Sequence, residues 1–79
     1  MKNITRNDLS KFFAADSIAT GDKFVALGDD SAVWGSGVTE SAAELSALTE
    51  LRPIVEEQVG RSVTDERAMR GVEVFAIVD

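Results

Sequence analysis

The chain has 79 residues and a formal charge of −6, and it contains no histidine, cysteine or tyrosine. Those absences remove the usual proton shuttle and the most accessible nucleophile near neutral pH. They also exclude disulfides and Cys/His zinc sites. Serine, threonine, lysine and carboxylates remain with no visible partner to activate them, so composition argues against a self-contained enzyme and in favour of a small acidic domain that acts by binding.

The length suits one domain spanning residues 1–79, near the lower limit for a core without staples. A hydrophobic content of 44% is ordinary for a globular chain. No apolar run approaches the roughly 20 residues of a membrane span. Met1 to Arg6 lead into no long apolar segment, so no signal peptide is expected and the cytoplasm is the default location. Charge is uneven. Residues 1–11 carry a net +2, residues 12–51 a net −6 and the rest a net −2. This sign disfavours direct contact with a nucleic-acid backbone, because phosphates require cations. A basic protein surface is the complementary partner.

The first predicted helix runs from Arg6 to Ala15. Thr5 serves as N-cap with Asp8 three residues on, and Ile4 and Leu9 form a hydrophobic staple. Leu9, Phe12 and Phe13 make an apolar stripe assigned to the core. A hairpin follows, with strands at Lys23–Leu27 and Ser31–Trp34 joined through Gly28-Asp29-Asp30, whose residues suit a turn. Gly35-Ser36-Gly37 is expected to release the chain from the sheet. It matches no phosphate-binding glycine motif, and Ser36 has no histidine to act as its base.

A second helix starts at Thr39 or Ser41, with Leu45, Leu48, Leu51, Val55 and Val59 within one arc. Pro53 predicts a kink or a division into two abutting helices. Gly60 is a C-terminal stop. Residues 62–67 suit a short helical turn closed by Gly71. Val72 to Val78 form the strongest strand, apolar on both faces apart from Glu73, as expected of a central or fully covered strand.

The order α–β–β–α–(short α)–β implies an α+β fold: a three-stranded antiparallel sheet with two main helices, of ferredoxin-like character. So short a chain leaves a sheet face or edge open to a partner or to a second copy, and a homodimer is one outcome. Trp34 is expected in the core, with an interface as the alternative. Glu50 and Glu57 share the outer helix face if the helix continues through Pro53, with Ala43, Ala47 and Ile54 close by. Asp29 and Asp30 read as an acidic turn rather than a metal site.

In size, acidity, lack of histidine and cysteine, and α–β–β–α–β order, the chain resembles the small acidic anti-CRISPR proteins of phages and mobile elements. That resemblance implies an inhibitor in the host cytoplasm that blocks nucleic-acid access by covering a basic surface of a CRISPR effector. It assigns Asp29, Asp30, Glu40, Glu44, Glu50 and Glu57 to contacts with lysine and arginine, and Trp34 joins them as a partner-binding candidate. No cofactor or metal is implied. The alternatives are a structural or oligomerising subunit and a noncatalytic subunit of an enzyme.

Overall fold

The structure, a computed structural model, describes residues 1–12, 18–29 and 32–78. Its elements are β1 (Asn3–Thr5), α1 (Arg6–Phe12), β2 (Phe24–Gly28), β3 (Val33–Gly37), α2 (Glu40–Val59), α3 (Asp65–Ala68) and β4 (Val72–Val78). The fold is α+β, with one four-stranded sheet in the order β1-β4-β2-β3. No described helix is long and apolar enough to cross a membrane.

The expected three-stranded antiparallel sheet is thus corrected to a four-stranded mixed one. Residues 3–5 form an additional strand parallel to β4, with Ile4 opposite Ile77 and the Ala76 amide donating to the Lys2 carbonyl at 3.0 Å. Three residues have no period of their own, and β1 exists because β4 offers an edge. The ferredoxin-like expectation is met in one half only. β3 and β4 are parallel with β2 between them, joined through α2 and α3. β1 and β2 are instead antiparallel to each other across β4, so α1 bridges no parallel pair.

Local signals set the element ends. Thr5 Oγ1 accepts the Asp8 amide at 3.0 Å and begins α1. Thr39 Oγ1 accepts the Ala42 amide at 3.1 Å and begins α2, which settles the choice between Thr39 and Ser41. Gly60 ends α2 at φ 73°, its amide donating to the Glu56 carbonyl at 2.8 Å. The expected extension of α1 to Ala15, the packing of Phe12 and Phe13, and the turn residues Asp30 and Ser31 lie outside the described residues and side chains.

The sheet is covered on both faces. On one, Leu9 of α1 packs with Val25 and Leu27, joined by Ile4, Ile18, Val33, Phe75 and Ile77. On the other, Ala47 and Leu51 of α2 pack on Ala26, joined by Trp34, Met69, Val72 and Val74. β4 is an interior strand contributing to both clusters, as its two apolar faces predict.

Gly35 and Gly37 lie inside β3 rather than after the sheet, a correction with a clear physical cause. A Cβ at Gly35 would stand 2.5 Å from the Ala47 nitrogen, and one at Gly37 would stand 2.6 Å from Ala42 Cβ. Helix and strand backbones therefore meet almost directly, and the fully buried Ala43 and Ala47 fill what space is left. The expected apolar arc of α2 turns accordingly. Leu48 and Leu51 are buried, but Leu45 is 66% exposed.

Gly35→Ala is expected to lower stability by about 1–3 kcal/mol or more, because the backbone facing it cannot yield cheaply. Gly21→Ala, where an added Cβ meets nothing within 4 Å, is the control and is expected to stay within about 0.5 kcal/mol of the parent. Urea unfolding of both variants checks the difference.

Candidate functional site

The acidic residues singled out by sequence fall into three places. Glu50 and Glu57 project from one flank of α2. The helix is continuous from Glu40 to Val59 with Pro53 inside it, so of the kink or division expected there the division into two abutting helices does not occur. Residues seven apart on a helix differ by only about 20° in direction, so these two carboxylates share a side. Both are exposed.

At Glu50 that flank adjoins β3. Val33, Trp34, Gly35 and Ser36 line a depression of about 320 Å³ together with Ser46 and Glu50. Trp34 owes its position to an irregularity in the ladder. Leu27 pairs with Val33 and Ala26 pairs with Gly35, which leaves Trp34 as the extra residue of a bulge. A bulge re-aims side chains: Trp34 joins the α2-side cluster while Val33 joins the opposite one. The indole is half-buried, so it serves the core and the depression together. β3 ends the strand order. An end strand directs unpaired backbone groups outward, where another chain can meet them.

Glu40 and Glu44 lie on the other side of α2. They line a groove of about 830 Å³ with Val72, Glu73 and Val74 of β4 and with Lys2. The groove exists because α2 packs chiefly on β3 and β2, leaving β4 and β1 less covered on that face. Lys2 Nζ stands 3.4 Å from Glu73 Oε1 and offsets part of the charge. Among the described residues no group of three or more carboxylates is placed to hold a metal ion.

Asp29 occupies a third position, at the turn after β2, where its carboxylate would meet a Cβ added to Gly71 at 3.0 Å. Its neighbour Asp30 is outside the described residues. Ala43 and Ala47, expected near the outer face of α2, are instead buried against the glycines of β3. Ile54 is 41% exposed. A helix of 20 residues is about 30 Å long and outruns a five-residue strand of about 17 Å.

The loop before the hairpin is fixed by polar contacts. Arg6 donates to the carbonyls of Thr20 at 3.1 Å and Asp22 at 2.9 Å. Asp22 Oδ2 accepts from Ser36 Oγ at 2.6 Å and from the Ala19 amide at 3.2 Å. Ser36 is thus a structural donor within β3.

Sequence reading did not single out Ser46 or Glu73 as surface partners. Ser46 is four residues before Glu50 and therefore its helical neighbour. Glu73 was visible as the polar break in an apolar strand. No protein-family model, curated protein or solved structure matches the chain.

Pro53 is exposed and lies between the two flank carboxylates. Its ring supplies no amide to the helix ladder. Pro53→Ala is expected to raise stability by about 1–3 kcal/mol without moving Glu50 or Glu57, measured by urea unfolding and helical circular dichroism.

Proposed function

We propose that this protein is a noncatalytic inhibitor that binds a partner through Glu50, Glu57 and Trp34 beside the open edge of β3. The partner presents a basic, nucleic-acid-handling surface, and occupation of that surface blocks nucleic-acid access. The observation that carries the reading is the exposed carboxylate of Glu50 lining one depression with a half-buried indole on an end strand, with Glu57 exposed on the same side of the helix. Fixed carboxylates answer lysine and arginine, the indole supplies an apolar anchor, and the strand edge supplies backbone groups. The resemblance in size, charge and composition to small anti-CRISPR proteins makes a CRISPR effector in the cytoplasm the first partner to try. Glu40, Glu44 and Asp29 belong to other surfaces and add long-range attraction rather than contact.

A second reading, a structural subunit that oligomerises edge to edge, draws on the same unpaired side of β3. Two copies meeting there would bring like-charged α2 flanks together, which favours the basic partner over the second copy.

The test is affinity capture with the tagged protein, elution along a salt gradient, and competition between the protein and DNA or RNA for the captured complex. The paired variant Glu50→Lys/Glu57→Lys is expected to weaken inhibition by about tenfold or more with an unchanged melting temperature, and to elute at lower salt. If that variant inhibits normally while Trp34→Ala abolishes inhibition on an intact fold, the carboxylate mechanism is wrong. Recovery of only the protein's own copies, stable in high salt, would establish the oligomer instead.

A further inference from the structure

The end of the molecule beyond the sheet carries a cation cluster that the acidic surfaces do not use. Arg61, Arg67 and Arg70 line one cavity of about 390 Å³, with Val59 and Val63 as its apolar part and the hydroxyls of Ser62 and Thr64 beside them. Among the described residues none of the three guanidinium groups forms an ion pair. In a chain of net charge −6, three exposed arginines that share one cavity lining with no carboxylate in that lining make a local basic surface suited to an anion.

Two of the nearby acids, Asp65 and Glu56, are engaged with other groups. Asp65 pairs with Arg52. Glu56 Oε2 accepts the Val63 amide at 3.0 Å, while Arg52 donates to the Val63 carbonyl at 2.6 Å. Glu66 lines an adjoining cavity with Arg67 and Arg70 without pairing to either. Asp29 turns toward Gly71.

The backbone that carries the arginines is held in place. Val63 is tied at both its amide and its carbonyl. Gly60 and Gly71 take left-handed φ of 73° and 81° and reverse the chain on either side. Thr64 Oγ1 accepts the Arg67 amide at 3.2 Å, so its hydroxyl hydrogen remains available to donate. Arg67 and Arg70 are three residues apart, the Arg70 amide donates to the Arg67 carbonyl at 3.3 Å, and both line this cavity and the adjoining one.

We infer that this cavity binds the phosphate groups of a small phosphorylated ligand through Arg61, Arg67 and Arg70. Guanidinium groups are donor-only and match phosphate oxygens in planar, paired hydrogen bonds. The two hydroxyls add donors. A compact ligand with two or three charges fits better than a polyanion. Screening over roughly 8 Å hides the acidic remainder of the protein from the former, whereas a long backbone would run across it.

The test is calorimetric titration of the full chain with sodium pyrophosphate in physiological salt, alongside a nucleoside diphosphate, with the arginine Nε–H signals followed by NMR. Saturable one-site binding below about 1 mM is expected, with the Nε–H signals of all three arginines shifting. Arg67→Gln and Arg70→Gln should each weaken it about tenfold or more, and Lys23→Gln should leave it unchanged. Equal affinity for the two ligands assigns the site to phosphates alone. Tighter binding of the nucleoside diphosphate adds contact between its base and Val59 and Val63. Absence of saturation, affinity unaffected by Arg67→Gln and Arg70→Gln with folds intact, or binding seen only with a long oligonucleotide would overturn the inference.

Discussion

Between α2 and β3 there is room for a hydrogen atom and little more at Gly35 and Gly37, and the arrangement of the molecule follows from that contact. Because the strand offers no side chains there, the helix meets it with alanine. Ala43 and Ala47 are fully buried, and the large residues of the helix move to either side of the seam. Leu48 and Leu51 turn inward, Glu50 lines the depression against β3, and Glu40 and Glu44 line the groove beside β4. A bulkier seam would lift the helix and displace all three sets.

The helix is also longer than the strand it rests on. The first half of α2 is committed to the sheet. The second half projects beyond it, in keeping with a long axis of 40 Å against 22 and 20 Å across. Arg52 links that projecting half to the segment after it through the Val63 carbonyl and Asp65. The segment after α2 is held by these polar contacts together with buried Ala68 and the packing of Met69, and the arginine cluster stands on it. The arginines lie after α2, on the segment of residues 61–70, so a protein of net charge −6 retains a local basic surface.

Much of the fold was legible because its signals are local. Thr5, Thr39 and Gly60 act at the helix ends where their side-chain chemistry or backbone freedom predicts, and β4 announced its interior position by being apolar on both faces. Three features were not legible. β1 is three residues whose only reason to be a strand is a partner more than 70 residues away. The glycines of β3 read as loop punctuation, since a close helix approach leaves the same signature as a turn. The buried side of α2 was misjudged at Leu45, because hydrophobicity favours leucine where the geometry admits only alanine. For the candidate site, helical spacing grouped Glu50 with Glu57 on one side of the continuous α2, of which only Glu50 reaches the depression beside β3. Spacing could not place Trp34 beside Glu50, since that depends on a bulge.

The proposed function requires the α2 flank and the β3 edge to act as one surface toward a basic partner. Titration of isotope-labelled protein with a short peptide alternating lysine and valine, followed by amide and indole NMR shifts, addresses it most directly. The account predicts joint movement of the Trp34 indole N–H, the amides of residues 33–37 and the amides around Glu50 and Glu57, all suppressed by salt. Shifts confined to Glu40, Glu44 and Glu73, with Trp34 and β3 unmoved, would contradict it.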